Sequence, residues 1–180
     1  MDQLTAHKRA QDTFASVLAN VKPDQLDLPS PCTEWNAKAV IEHVIGGNQW
    51  VQQLAGLQPP QVPDEFGAAH AATAAGAQAV FGAPDGLTRE FELPFATMPG
   101  AGFIGLRTTD VLAHAWDLAK ATGQSTDLDP ELSAEALEAA RVRLLPTFRG
   151  PGRPFGEEQP CPPGRPVADE LAAFLGRVVA

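Results

Sequence analysis

Two polar residues, one helical turn apart, interrupt an apolar helix stripe. The segment TTDVLAHAWDLAKATG (residues 108–123) is predicted to be helical, and Asp110 and His114 fall where apolar residues recur every three or four positions. Side chains at i and i+4 share a face, with Cβ atoms about 5–6 Å apart. A carboxylate oxygen and an imidazole nitrogen at that spacing can bind one ion at about 2.0–2.2 Å.

A third polar residue, His43, lies on the apolar stripe of an earlier predicted helix. A facing arrangement of the two helices would supply two nitrogens and one oxygen and leave positions open for water or substrate, as in catalytic metal sites. Spacing alone equally suits a buried, hydrogen-bonded His–Asp cluster without a metal. Both interpretations stay open at this point.

The elements that position these residues are predicted to be helices, because the apolar positions repeat at helical steps. Asn36 is a good N-cap for the helix that carries His43, with Trp35 before it as a staple residue. TREFELPF (88–95) is predicted to be a short strand or extended loop, and MPGAG (98–102) a turn. The predicted helices span 2–21, 36–56, 65–82, 103–122, 130–145 and 167–179.

This order of elements predicts an all-α fold: a four-helix bundle with an extra short C-terminal helix and little or no strand. A length of 180 residues suits one domain, 1–180, in which 146–166 form a proline- and glycine-rich irregular segment.

Charge and hydropathy exclude several classes of partner. The net charge of −9 argues against nucleic acid, and no apolar run approaches the roughly 20 residues that span a membrane. The N-terminal stretch is polar and lacks a signal core, so a cytoplasmic location is expected. Cys32 and Cys161 are accordingly predicted to be reduced thiols, with Cys32 structural in preference to nucleophilic.

Other polar residues near the helical pair have two interpretations each. Asp117 could accept the free ring N–H of His114, as metal-bound histidines commonly require, or be a solvated or helix-packing carboxylate. Asn48 and Trp50 could line the mouth of a pocket, with plain core packing as the alternative for Trp50. His7 and His70, by contrast, are predicted to lie on the surface, because no partner for them is evident.

The stretches SPCTEWNAKAVIEHVIGGN (30–48) and DVLAHAWDLAKATGQ (110–124) resemble the DinB/YfiT-like superfamily. Within it, the sequence is most similar to the actinobacterial branch related to the N-terminal domain of mycothiol-dependent maleylpyruvate isomerase. The shared elements are Pro-Cys-x-x-Trp, a His eight residues after that Trp, and His-x-Trp-Asp-Leu-Ala. The segment RPVADELAAFLGR (165–177) also resembles the end of that domain.

The resemblance implies a bundle that holds a divalent metal through His43, Asp110 and His114. Asp110 stands where the isomerase has Glu, whose side chain is one methylene longer. The implied ion is Zn²⁺, with Ni²⁺ and Fe²⁺ as alternatives that suit the same donors.

The function that the resemblance implies is metal-dependent activation of a low-molecular-weight thiol, such as mycothiol, toward an unknown electrophilic substrate. The length leaves no room for the further domain of the isomerase, which favours a thiol transferase over maleylpyruvate isomerisation. The alternatives are a metal-dependent hydrolase that activates water and a non-catalytic metal- or ligand-binding bundle. A monomer or a homodimer is expected.

Overall fold

The computed structural model describes residues 1–32, 35–59, 61–144, 146–150 and 155–179. Helices dominate these residues, and one small sheet interrupts them. In chain order the α-helices and strands are Gln3–Leu18 (α1), Ala37–Leu54 (α2), Phe66–Gly82 (α3), Glu90–Leu93 (β1), Ala96–Pro99 (β2), Gly100–Ala121 (α4), Pro130–Arg143 (α5) and Val167–Phe174 (α6).

Side-chain caps set where several helices begin. The Asn36 side chain accepts a hydrogen bond from the backbone N–H of Ala39, which starts α2 where the sequence predicted. Asp129 caps α5 in the same way, and Pro130 occupies the first turn, where its missing N–H costs nothing. These local signals were therefore sufficient to predict both starts.

Four helices form the bundle. Helix α4 packs against α1 and α2, and α3 packs against the same two helices from the other side. Their facing sides share a core that includes Phe14, Ile41, Val111 and Leu118. Helices α5 and α6 pair with each other and contact α4, where the buried Trp116 Nε1–H donates to Asp169 at 2.7 Å. The predicted all-α bundle is confirmed.

The prediction of a turn at 98–102 is wrong, because β2 runs to Pro99 and α4 begins at Gly100. The N–H of Gly100 donates to the carbonyl of Arg89 at 2.9 Å, so the preceding loop satisfies one free donor of the helix. A Cβ at Gly100 would overlap the carbonyl oxygen of Gly86. Glycine here thus permits close helix-to-loop packing.

The sheet is a two-stranded antiparallel hairpin in which Glu90 pairs with Pro99 and Leu93 with Ala96. Phe91 points inward and lies 5.2 Å from Phe103 of α4, centroid to centroid. The extended segment predicted over 88–95 is therefore a strand that anchors the start of α4.

The segment 146–166 contains a 3-10 helix, Pro146–Phe148, and no other helix or strand element among its described residues. Residues 151–154 of that prediction fall outside the described part of the chain. In the described ranges, no helix has the length and apolarity needed to cross a bilayer.

A polar network occupies the interior between α1, α2 and α3. His7 and His70 belong to it and are fully or almost fully buried, so the prediction that both lie on the surface is wrong. Each finds amide partners: His7 Nδ1 meets Gln78 Oε1 at 2.7 Å, and His70 Nε2 meets Gln11 Oε1 at 2.9 Å. Those partners come from α1 and α3, which are distant in sequence.

Acid is expected to destabilise the fold through these two histidines. Burial lowers the pKa of His7 and of His70 from 6.5 to about 4, so below pH 6.5 the unfolded chain binds protons that the folded chain does not. The contribution of each neutral histidine to the free energy of unfolding is complete above pH 6.5. It is lost as the pH falls toward 4, by up to roughly 3 kcal/mol for each histidine.

Urea unfolding at pH 7.5, 6 and 4.5 measures this effect. We expect the midpoint to fall over that range, and to fall less in His70→Phe, which cannot take up a proton. Equal pH dependence in the two proteins would contradict the assignment to His70.

Candidate metal centre

Helices α2 and α4 bring His43, Asp110 and His114 together at their contact. One nitrogen or oxygen atom from each lies within 4.8 Å of the others. Nε2 of His43 is 3.4 Å from Asp110 Oδ2, and Nε2 of His114 is 3.5 Å from Asp110 Oδ1. We call these three residues the donor cluster.

One observation indicates that the donor cluster suits a metal ion. Nε2 of His43 is buried and has no hydrogen-bond partner among the described residues. A buried nitrogen without a partner is costly, and buried polar groups in native proteins are rarely left so. A cation bound to its lone pair would remove that cost, so the residues present suit an ion.

Trp35 packs over both imidazoles. Its ring is stacked on His114 at 5.5 Å and lies 4.7 Å from the ring of His43, centroid to centroid. The Asn36 cap fixes the chain direction just after Trp35, and therefore helps to place the indole. An apolar cover of this kind lowers the local polarity around the donors.

The orientation of His114 is set from behind by Asp117, a turn further along α4. Nδ1 of His114 donates to Asp117 Oδ2 at 3.0 Å, so Nε2 is the ring nitrogen that faces Asp110. Arg177 in turn donates to Asp117 through Nε at 3.2 Å and Nη2 at 2.9 Å. Asp117 is completely buried, so a solvated carboxylate is not what the structure shows.

Arg107 supports Asp110 from the same helix. Its Nη1 donates to Asp110 Oδ2 at 2.8 Å, and its side chain is buried. The guanidinium packs directly against Gly47 of α2, where a Cβ would lie 2.6 Å from Arg107 Cζ. Nε and Nη2 of Arg107 have no hydrogen-bond partner in the described part of the chain.

Opposing effects determine the protonation of the donor cluster. Burial would raise the pKa of Asp110, but the charges of Arg107 and His114 hold that pKa well below its usual value. Burial would lower the pKa of His114, but Asp110 and Asp117 raise it to about 9. A metal ion would therefore have to displace a proton from His114.

The donor cluster is open to solvent on one side. The side chains of His43 and Asp110 are 35% and 27% exposed, whereas that of His114 is 7% exposed. The exposed part of the cluster therefore belongs to His43 and Asp110.

Asn48 and Trp50 are not brought to the donor cluster. Asn48 is buried and exchanges two hydrogen bonds with Gln11, at 2.8 and 3.1 Å, within the interior polar network. Trp50 is half-buried and packs edge-on against Phe103 at 5.4 Å, which is the core-packing alternative.

Cys32 lies closer to the donor cluster than its sequence position indicated. Its Sγ is within 4.8 Å of a ring nitrogen of His114 and an oxygen of Asp117. Burial and the charge of Asp117 raise the pKa of the half-buried thiol, so it stays protonated at neutral pH. This environment favours the structural interpretation of Cys32 over a nucleophilic one.

Two arginines of this site were missed by the sequence analysis. Arg107 precedes Asp110 by three positions and so shares its helix face, a spacing that could have identified it. Arg177 lies 60 residues after Asp117, and no local pattern connects them.

The class that this all-α fold supports is the DinB-like helical bundle, here with two histidines and a carboxylate meeting at a helix contact. Residues 7–92 match the family described as the mycothiol maleylpyruvate isomerase N-terminal domain, and the chain belongs to this family. The match includes His43, whereas Asp110 and His114 follow it in the chain.

Two relatives from Mycobacterium tuberculosis, both described as uncharacterized proteins, are similar along their whole length. The proteins of strains CDC 1551 and H37Rv are each 60% identical over 181 residues, which cover 99% of this chain and 100% of the relative. No solved structure matches the chain.

Proposed function

We propose that this chain is a metal-dependent enzyme that activates a low-molecular-weight thiol, such as mycothiol, for transfer to an electrophilic substrate. The observation that carries the proposal is the convergence of three donor atoms, one of which is a buried nitrogen of His43 that makes no hydrogen bond among the described residues. The family description, which names mycothiol, supports the choice of a thiol.

The residues that would hold the ion are His43, Asp110 and His114. Zn²⁺ is the ion we favour for two imidazoles and one carboxylate, with Ni²⁺ or Fe²⁺ as alternatives. When bound, a divalent ion lowers the pKa of a coordinating thiol or water, so that the anion forms near neutral pH.

The neighbouring residues prepare this chemistry. Asp117 accepts the Nδ1–H of His114 at 3.0 Å, so Nε2 is the ring nitrogen that can coordinate the metal. Arg107 occupies Oδ2 of Asp110 and so leaves Oδ1 turned toward His114. The exposed edges of His43 and Asp110 provide the approach for the thiol.

The charges at the site favour an anionic ligand. Arg107 balances Asp110, and Arg177 balances Asp117, so these four side chains contribute no net charge. With both imidazoles neutral, the full charge of a divalent cation would stay available to an incoming thiolate. This is the arrangement that thiol activation requires.

Metal analysis combined with mycothiol titration tests the proposal. Metal content is measured by mass spectrometry in the wild type, in His114→Ala, and in Glu42→Ala, which removes an exposed carboxylate beside His43. We expect the wild type and Glu42→Ala to hold about one ion and to bind mycothiol calorimetrically, and His114→Ala to lose both.

Each other outcome removes part of the proposal. A retained metal without mycothiol binding would exclude the thiol transferase and leave a hydrolase or a non-catalytic bundle. An absence of metal in the reconstituted wild type would exclude both enzymes.

A further inference from the structure

A wide groove runs between α1 and α3, with no donor-cluster residue in its lining. Its volume is about 840 Å³, within the roughly 300–1,000 Å³ of pockets that bind small molecules. Most of its wall consists of small or aliphatic side chains, among them Ala15, Leu18, Ala71, Ala74 and Ala75. Charged side chains also line it, namely Lys8, Asp12, Lys22 and Glu65. We call this feature the α1–α3 groove.

The floor of the α1–α3 groove contains a ring nitrogen that makes no hydrogen bond to any described residue. His70 lines the groove although only 2% of it is exposed, and its Nε2 is committed to Gln11 at 2.9 Å. Over the described residues, no hydrogen bond reaches the other ring nitrogen, Nδ1. Its ring also packs on Phe14, 5.0 Å away, which fixes its plane.

The interior network determines which nitrogen of His70 carries the proton. A backbone carbonyl can only accept, so the carbonyl of Leu4 must receive an N–H from Gln78 Nε2, at 3.0 Å. Oε1 of Gln78 is then the acceptor for His7 Nδ1–H, at 2.7 Å. Nε2 of His7 is left as an acceptor for the amide nitrogen of Gln11, at 3.3 Å.

The same chain of donors and acceptors continues to His70. Since the nitrogen of Gln11 donates, its Oε1 accepts, and Nε2 of His70 must donate to it. His70 is neutral at physiological pH, because burial lowers its pKa to about 4. Nδ1 is therefore an unprotonated acceptor in the floor of a largely apolar groove.

We propose that the α1–α3 groove binds a small apolar molecule that carries a hydroxyl group, and that this hydroxyl donates to Nδ1 of His70. The wall provides apolar contact, and the unprotonated Nδ1 of His70 favours a ligand with a hydroxyl donor over an ether or a ketone. This ligand is separate from the metal and the thiol of the proposed function, so either proposal stands without the other.

A matched pair of probes tests the hydroxyl. 1-Octanol and 1-methoxyheptane have the same number of heavy atoms, but only the alcohol can donate a hydrogen bond. Binding is followed by nuclear magnetic resonance shifts of the 15N-labelled full chain at millimolar probe. We expect saturable shifts on α1 and α3, with octanol bound about fivefold more tightly, the ratio for roughly one neutral hydrogen bond.

Variants of α3 locate the site. Ala75→Leu fills the groove from an exposed position and is expected to abolish the shifts, whereas Ala68→Leu, exposed on the same helix but outside the lining, is expected to preserve them. His70→Phe is expected to remove the preference for octanol. If this variant does not fold, the relative affinity of the wild type for the two probes still tests the proposal.

Equal affinity for the two probes, or no saturable binding of either, would overturn the proposal. So would a dimer, measured by analytical ultracentrifugation, that Ala75→Leu dissociates, because the groove would then be a contact between two copies of this chain.

Discussion

Asp110→Asn is expected to weaken metal binding by at least about 100-fold, because it replaces the only carboxylate of the donor cluster by a neutral amide of the same shape. Changing a residue that only orients a metal ligand typically lowers metal affinity by roughly 10–100-fold, and losing a ligand is expected to lower it at least as much. The comparison is made by competition with a chelator at pH 7.5. Wild-type affinity in Asp110→Asn would show that Asp110 is not a ligand.

The same substitution is expected to lower the free energy of unfolding of the metal-free protein by about 2 kcal/mol. Arg107 is buried and would lose its charged partner, although the asparagine oxygen can still accept its hydrogen bond. The partial exposure of Asp110 keeps the loss below that of a fully buried pair.

Two further variants separate the roles of the pair. Asp110→Asn combined with Arg107→Met is expected to recover most of the stability, since an apolar side chain tolerates burial, but not the metal affinity. Asp85→Asn breaks an exposed ion pair with Arg89, whose N–O distance of 2.9 Å is similar to that of the Arg107–Asp110 pair. It is expected to lower the free energy of unfolding by less than about 1 kcal/mol. A loss in Asp85→Asn as large as in Asp110→Asn would contradict the role given to burial.

Gly47→Ala is expected to damage the site without touching a donor residue. The new Cβ would lie 2.6 Å from Cζ and Nη1 of Arg107, so the buried guanidinium would have to leave its place beside Asp110. We expect metal affinity to fall roughly 10–100-fold and the free energy of unfolding to fall by about 1–3 kcal/mol.

Gly46→Ala is the matched control for this effect. It lies one position earlier on α2, and nothing is within 4 Å of its added Cβ. Both substitutions gain the same helix propensity, up to about 1 kcal/mol, so the difference between them isolates the contact with Arg107. Chemical denaturation and chelator competition on both variants measure that difference. Equal stability and metal affinity of Gly46→Ala and Gly47→Ala would show that Arg107 does not require the space beside Gly47.

The parts of the structure that the sequence predicts are those set by local signals, that is, by residues close to one another in the chain. Asn36 and Pro130 mark helix starts through chemistry that involves only a few neighbouring residues, and both starts are where they were expected. The i, i+4 spacing likewise put Asp110 and His114 on one face, and their meeting with His43 follows from the packing of two apolar stripes.

What the sequence does not predict depends on contacts between distant segments. Helix α3 is alanine-rich on every side, so its pattern does not specify which face is inward, and His70 could be assigned to the surface. The partners that make its burial tolerable, such as Gln11, belong to another helix. The turn predicted for MPGAG is wrong for the same kind of reason, because Gly100 permits contact with the backbone of Gly86, which is distant in sequence.

The link between Arg177 and Asp117 has a consequence for how the protein is made. Ribosomes synthesise chains from the N-terminus, so Asp117 emerges 60 residues before Arg177, the arginine that pairs with it. During that interval the carboxylate lacks the charge of Arg177, and its complete burial is more costly. The nascent bundle therefore completes the support of His114 only after α6 has been translated and has docked.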